Sequence, residues 1–286
     1  MRFSFAATVS LAVFAIGLGG CASVRPVPPQ AALMQTPADP ADAHNALFAL
    51  FKDDDEATLK LNPMSAIYRG DLRYADRFGD YITDAYYDAT RAQAEASLAR
   101  LHQVDRARLN ETDQLAFDVF DYQENDLIES LSQRILPLTR VRPLNHFFGF
   151  QSAYPTFASG KGGAPFATLL DYGNNLKRHA GYVIWIDRAI GRFREGEAAG
   201  VVETKMTIRN VIEQLDNQLA EKPEASQYYA PVTMFPASIS AADQARLKAR
   251  YRAAIVDQLM PATKRLRDFL ATEYLPRARD GRARCT

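Results

Sequence analysis

Residues 240–270 read SAADQARLKARYRAAIVDQLMPATKRLRDFL and form the longest stretch of helical periodicity in the chain. Ser240, followed by Asp243 three residues later, is typical of a helix start, because a serine side chain can accept a free amide of the first turn. Pro261 is expected to kink the helix, since an internal proline removes a hydrogen bond and clashes with the preceding turn. The apolar side chains recur every three or four residues, at Leu247, Tyr251, Ile255, Leu259, Leu266, Phe269 and Leu270. The spacing therefore predicts one long amphipathic helix.

The same spacing occurs in the first part of the chain. It predicts a helix over residues 42–61, which Asn62 and Pro63 close. Thr83 is expected to cap a second helix that runs to Leu101, and Asn110 a third. The stripe of this third helix that is expected to face the core consists of Leu115, Val119, Tyr122 and Leu131.

Helical spacing resumes at Ala164-Pro165, where proline suits a first turn. We expect a break near Gly181 and then a further helix that reaches Gly196. Another helix is predicted over residues 202–219, ended by Pro223. Because no alternating strand pattern and no constant repeat is present, the sequence predicts an all-α fold, an irregular array of many helices.

A long connection rich in proline and aromatic residues separates the two groups of predicted helices, over residues 137–163. Aromatic rings beside polar groups in an irregular segment are typical of a ligand cleft. A loop that folds back under the helices to fill the core would use the same residues, and the sequence leaves both interpretations open. The candidate ligand contacts, within the aromatic connection 144–157, are Asn145, His146, Phe147, Phe148, Phe150 and Tyr154.

The first residues predict where the protein goes. Residues 1–20 combine a basic start, an uncharged apolar stretch and a small-residue exit, as secretory signal peptides do. Leu18-Gly19-Gly20-Cys21 resembles the bacterial lipobox, so we expect cleavage before Cys21 and a lipid on its thiol. A permanent membrane helix with an incidental cysteine is the alternative, but the glycines at its end disfavour a helix there.

Residues 21–42 carry five prolines and are interpreted as an extended tether between the membrane and the helical domain of residues 43–279. Ala22 follows the lipidated cysteine, which resembles the default outer-membrane sorting pattern of Gram-negative bacteria. The expected location is therefore the cell envelope. We predict a protein lipid-anchored to the outer membrane that faces the periplasm or the surface.

Composition excludes several classes of protein. The chain has 286 residues, 34 basic and 34 acidic side chains, 47% hydrophobic residues and only 2 cysteines, which excludes disordered, disulfide-stapled and polytopic membrane proteins. The charge is unevenly distributed, because residues 39–133 hold 20 acidic and 9 basic side chains and residues 246–284 hold 4 and 11. Export argues against a nucleic-acid partner, so the basic segment is expected to contact the acidic part of the chain.

No catalytic or metal-ligating residue is assigned. The histidines are His44, His102, His146 and His179; no two lie within four residues of each other, and there is no H-E-x-x-H or G-x-S-x-G motif. Residues 53–56, DDDE, are interpreted as a solvated helix end rather than a cation site. The acidic residues between Asp113 and Glu129 are interpreted as an exposed face, although paired acid–base carboxylates would look the same.

Several motifs occur in order along the chain. They are residues 62–77 (NPMSAIYRGDLRYADR), 192–202 (RFREGEAAGVV), 212–216 (IEQLD), 235–239 (FPASI), 251–255 (YRAAI), 267–270 (RDFL) and 273–276 (EYLP). Together these motifs resemble the bacterial domain-of-unknown-function 885 family, many of whose members are lipoproteins. The resemblance covers about residues 43–279 in the expected order.

This resemblance implies a largely helical, zincin-like metallopeptidase with a zinc-binding H-E-x-x-H helix in its C-terminal half. Zinc is therefore implied for full-length members, and no cofactor is assigned to this chain. Since no position here matches the zinc helix, the chain resembles the N-terminal half only. Residues 280–286, DGRARCT, are interpreted as an aberrant tail produced by a frameshift or early stop.

Two hypotheses follow for the function. In the first, the chain is a truncated, catalytically inactive N-terminal half of a secreted zinc metallopeptidase-like lipoprotein, with a complementing C-terminal half as possible partner. In the second, it is a non-enzymatic envelope lipoprotein that binds a peptide or protein partner through the aromatic connection. The first hypothesis also predicts poor solubility, since helices that lack a packing partner leave apolar surface exposed.

Overall fold

The computed structural model describes residues 40–219 and 221–281, and within these ranges the chain is helical and forms no strand, so the predicted all-α class is confirmed. The predicted signal peptide, Cys21 and most of the tether and the tail lie outside the described residues. The helices are α1 (Pro40–Leu61), α2 (Pro63–Tyr68), α3 (Asp84–Leu101), α4 (Glu111–Ser130), α5 (Leu136–Thr139), α6 (Phe150–Thr156), α7 (Leu169–Ala199), α8 (Lys205–Asp216), α9 (Ala241–Ala254), α10 (Met260–Phe269) and α11 (Leu275–Arg277).

Helix α7 is the centre of the larger hydrophobic core. Its buried stripe includes Tyr182, Trp185, Ile186 and Phe193. Helices α9 and α10 pack against α7, and α6 and α8 contribute side chains to the same hydrophobic cluster. The predicted start at Ala164-Pro165 is wrong. A capping box starts α7 after Thr168 instead, in which the Thr168 side chain and Asp171 satisfy each other's backbone amides.

The break predicted near Gly181 is also wrong, because α7 continues through it without interruption. Gly181 is needed for packing: a Cβ at this position would lie 2.5 Å from the Cβ of Phe78. The missing side chain lets the segment that follows α2 lie directly on α7. A glycine in a helix therefore signals a close approach here and does not end the helix.

The C-terminal run of helices matches the predicted long helix, with two interruptions. The Ser240 side chain accepts the amide of Asp243, as expected. Single π turns at Ile255–Leu259 and Leu270–Tyr274 separate α9, α10 and α11. Pro261 and Pro276 each follow a π turn by two residues, so the prolines occur where the backbone has already left α geometry.

Helices α1, α3 and α4 form a second, smaller hydrophobic cluster. Thr83 and Asn110 cap α3 and α4 through the amides of Tyr86 and Asp113, which confirms both predicted helix starts. The smaller cluster contains Ala43, Leu47, Leu50, Leu98, Leu101, Leu109 and Phe117.

The predicted core face of α4 is largely wrong. Leu115, Val119 and Tyr122 are exposed, and only Leu131 of that stripe is buried. Helix α4 carries a second apolar stripe through Phe117 and Phe120, and the Phe120 ring lies 4.9 Å from that of Phe51 on α1. The phenyl rings of Phe117 and Phe120 fill the space between the helices, so the other stripe faces solvent.

The basic C-terminal segment does not contact the acidic N-terminal part as predicted. Among the described residues, the ion-pair partners of the basic side chains from Arg246 to Arg267 are Asp187, Asp216, Glu224, Asp243 and Asp268. All five lie after residue 186, so these pairs bind α10 and its neighbours to α7, α8 and each other.

Candidate functional site

The aromatic connection presents two phenyl rings to solvent. Phe147 and Phe148 are 74% and 76% exposed, among the most exposed large apolar side chains in the described residues. The turn that carries them is fixed by Asn145, whose Oδ1 accepts the amides of Phe147 and Phe148 at 2.8 and 2.9 Å. The amide of Asn145 in turn donates to the Phe148 carbonyl at 3.0 Å. The two rings are therefore exposed on an ordered turn.

Glutamine side chains join this turn to the helical body. Gln214 on α8 donates to the carbonyl of His146 at 2.8 Å, and Gln151 donates to that of Asn145 at 2.6 Å. Gly149 has a φ of +142°, and any Cβ there would overlap the Gln151 amide oxygen. Only glycine therefore allows the turn to lie against this buried glutamine.

The six predicted ligand contacts do not share one environment. Asn145 and His146 support the turn, and Phe147 and Phe148 form its exposed tip. Phe150 packs on the rings of Phe78, Tyr81 and Trp185 at centroid distances of 4.8, 4.8 and 5.5 Å. Tyr154 is completely buried. The core-filling interpretation therefore applies to Phe150 and Tyr154, and contact with a partner stays a prediction for the exposed tip.

A buried polar network surrounds Tyr154. Its hydroxyl makes a 2.9 Å hydrogen bond with Nδ1 of His179, and Asn175 contacts both His179 and the Tyr251 hydroxyl. Burial, together with the charge of Arg178, lowers the pKa of His179 to about 3. His179 is therefore neutral, and its hydrogen bonds are made within the core.

Arg178 is a buried cation without a carboxylate partner among the described residues. Its guanidinium donates to the carbonyl of Ala75 and to Oδ1 of Asn175, and lies 5.4 Å from the centroid of the Phe157 ring. Burial lowers its pKa from the usual value. Arg178 thus holds the segment after α2 against α7, and we assign it a structural role.

Carboxylates form a second group of buried polar side chains, between α1 and α4, which sequence reasoning interpreted as exposed. Asp113 is buried and lies 2.8 Å from Nδ1 of His44. Glu124 is buried, and burial together with the charge of Asp54 raises its pKa to about 7. The acidic face was therefore predicted only in part: on the same helix and near the surface, Asp118 is ion-paired with Arg106, and Asp121 lies 2.8 Å from Nε2 of His102.

Residues 53–56 lie in the middle of α1 and not at a helix end, contrary to the prediction. Asp53 pairs with Arg100, Asp54 accepts Ser97 at 2.6 Å, Asp55 pairs with Arg69, and Glu56 pairs with Arg73. Their oxygens are thus engaged by other parts of the chain. In residues 40–219 and 221–281, no three His, Cys, Asp or Glu side chains converge as a metal site would require.

Comparison with known proteins gives one family and one fold. The model of a family described as "Bacterial protein of unknown function (DUF885)" matches residues 63–284. No curated protein matches the chain. A crystal structure from Colwellia psychrerythraea, named as a presumed lipoprotein, has a TM-score of 0.67 and 13% identity over 83% of this chain and 42% of its own. At this identity the likeness shows the fold alone, and the chain spans less than half of that protein.

None of the helices in the described ranges is both long and apolar enough to cross a membrane.

Proposed function

Because the chain belongs to the DUF885 family of bacterial proteins, we propose that it is an envelope lipoprotein that binds a peptide or protein partner through Phe147 and Phe148. The observation that carries this proposal is the exposure of both rings, at 74% and 76%, on a turn fixed by Asn145. Exposed aromatic side chains on an ordered support lose little conformational entropy on binding, and aromatic residues are enriched at the centres of interfaces.

The contact is tested with an array of immobilised random peptides and the purified chain in mild detergent. We expect saturable binding to peptides with apolar side chains, weakened about tenfold or more by Phe147→Ala or Phe148→Ala, since interface aromatics often contribute over 1.4 kcal/mol. Tyr122→Ala, at an exposed aromatic on α4, is the matched control and should leave binding unchanged. Binding that survives both phenylalanine substitutions would refute the proposed contact.

The anchor is the second part of the proposal. It is supported by the lipobox-like Leu18-Gly19-Gly20-Cys21 and by the lipoprotein name of the structural neighbour. Placement in the outer membrane follows from Ala22 if the host is Gram-negative. Labelling of cells with a palmitate analogue should mark the native protein and not Cys21→Ser. Equal labelling of the native protein and Cys21→Ser would show that the lipid is not on Cys21. So would a loss of labelling in Cys285→Ser but not in Cys21→Ser.

A further proposal concerns catalysis. The family resemblance implies a zinc peptidase whose zinc helix has no counterpart in this sequence, and the solved neighbour extends well beyond the matched part. We propose that this chain supplies a helical part of a peptidase-like lipoprotein and is inactive alone, the zinc site belonging to a complementing C-terminal part. Metal analysis and a peptide-hydrolysis assay of the purified chain are expected to find neither stoichiometric zinc nor turnover. Either one would overturn this proposal.

A further inference from the structure

A small cavity of about 200 Å³ lies where the end of α1, the segment before α3 and the first turns of α3 meet. The residues that line it include Lys60, Arg77 and, from α3, Ala85 and Ala89. These side chains come from three separate segments of the chain. The volume suits a phosphate or a carboxylate-bearing group and is below the range of cavities that take drug-sized ligands.

The two cations that line this cavity are poorly compensated. The side chain of Lys60 has no hydrogen bond or ion pair with any other described residue. The guanidinium of Arg77 is 4.0 Å from Asp76, whose other oxygen lies 3.2 Å from Lys177. Asp76 is thus shared, and neither Lys60 nor Arg77 has a carboxylate of its own.

Two acidic side chains near the cavity, Asp80 and Asp84, are ion-paired with cations other than Lys60 and Arg77. Asp80 lines the cavity but accepts Nη1 of Arg188 at 2.9 Å. Asp84, the first residue of α3, is paired with Arg192 and Arg140. The charged side chains that line the cavity are thus two cations and one carboxylate, and that carboxylate is already paired with Arg188.

Glycine allows close packing in one wall of the cavity. Gly79 has a φ of +111°, and a Cβ built there would lie 2.6 Å from the Tyr81 ring and 3.2 Å from Pro63. The start of α3 adds to the positive potential, because the first-turn amides of a helix lack carbonyl partners. The Thr83 side chain accepts only the amide of Tyr86.

A second cavity offers a useful contrast. The cleft between α7 and α10 is larger and also contains two arginines, but Arg194 is paired with Glu273 and Arg265 with Asp187. Its cations are neutralised within the protein. A negatively charged ligand would have to break these ion pairs in order to bind the arginines. At Lys60 and Arg77 it would itself supply the missing negative charge.

We propose that the cavity between α1 and α3 binds a small oxyanion, either a phosphate or a carboxylate group, between Lys60 and Arg77. The guanidinium can donate two parallel hydrogen bonds to either oxyanion, and the ammonium supplies a second positive charge. A phosphoryl group and the C-terminal carboxylate of a peptide are two sources of this chemistry, and separate probes distinguish them.

The first experiment is calorimetric titration of the purified chain, in mild detergent and low-chloride buffer, with inorganic phosphate and in parallel with N-acetylglycine. N-acetylglycinamide, which has no carboxylate, is the control probe. We expect saturable binding of at least one oxyanion and none of the amide. Tighter phosphate binding indicates a phosphoryl ligand, and tighter N-acetylglycine binding indicates a peptide carboxylate. Binding of neither oxyanion would overturn the proposal.

Variants test the location. Lys60→Ala and Arg77→Ala should each weaken binding about tenfold or more, in line with the loss of a charge-assisted hydrogen bond. Lys52→Ala, which removes an exposed lysine eight residues earlier on α1, should leave binding unchanged. Ala89 is exposed on α3, so Ala89→Glu should fold normally and abolish binding, while Ala89→Lys should keep or tighten it. Equal affinity in the glutamate and lysine variants, with unchanged circular dichroism, would refute the site.

Discussion

The bundle of α1, α3 and α4 and the body around α7 bury polar groups in opposite ways. The body around α7 buries neutral hydrogen-bonding groups such as His179 and Tyr154, together with the cations Arg178 and Arg192. The smaller bundle buries carboxylates, Asp113 and Glu124, and leaves an apolar stripe of α4 in solvent. We therefore expect the α7 body to supply most of the stability, and we expect the buried Glu124 to make the smaller bundle less stable as the pH rises through 7.

The largest expected effect concerns the α7 core. Trp185 is buried against Tyr182 and Phe150, so Trp185→Ala should lower the free energy of unfolding by roughly 3–5 kcal/mol. Phe117→Ala in the smaller cluster should cost less, about 3 kcal/mol, because that cluster holds fewer buried residues than the one around Trp185. Urea denaturation followed by circular dichroism measures both. An equal or larger loss for Phe117→Ala would contradict the comparison.

The next effect tests close packing on α7. Gly181→Ala should destabilise the protein by roughly 1–3 kcal/mol, since the new methyl group would overlap Phe78. Gly191 lies on the same helix with nothing within 4 Å of a built Cβ, so Gly191→Ala should stabilise by about 0.5–1 kcal/mol. The pair is compared by the same denaturation experiment. Changes of the same sign would show that the segment after α2 does not press on α7.

These outcomes depend on features that sequence reasoning could not supply. The capping residues Thr83, Asn110 and Ser240 could be predicted because each cap is a hydrogen bond to an amide only three residues later, which a local sequence pattern can show. Gly181 was misjudged because the group that requires it is Phe78, more than a hundred residues earlier. Likewise, the cavity at Lys60 is formed by three separate segments, so no local sequence motif predicts it. Phe147 was identified as a candidate, but its exposure depends on how Gln214 and Gln151 hold the turn.

The pH response of the smaller bundle is expected to come from Glu124. Its folded-state pKa of about 7 lies above the usual 4.5, so its contribution to stability is complete below pH 4.5 and is lost as the pH rises through 7. At pH 8 Glu124→Gln should therefore be more stable than the native chain, by up to about 2 kcal/mol, and at pH 4.5 the two should be similar. Glu129→Gln, at an exposed carboxylate on the same helix, is the control. A native-to-variant difference that does not change with pH would exclude Glu124 as the titrating group.

The smallest effect on folding should come from the exposed stripe of α4. Leu115→Lys and Tyr122→Lys are expected to change the free energy of unfolding by less than about 0.5 kcal/mol, because both side chains lie in solvent. They should reduce self-association in sedimentation velocity, if this stripe causes the poor solubility predicted from sequence. A large loss of stability would instead show that this stripe is packed, and that the smaller bundle does not leave an apolar face in solvent.

The π turns in the C-terminal run of helices bear on how this gene can vary in length. A π turn holds one residue more than the α turn it replaces, so the helices on both sides keep their faces toward the core. A one-codon deletion within residues 255–259, combined with replacement of Pro261, would thus leave Tyr251 and Leu266 on the same side. The same deletion in the middle of α7 would rotate every later side chain by about 100°. Related genes can therefore be expected to differ by single codons at the π turns and not within α7.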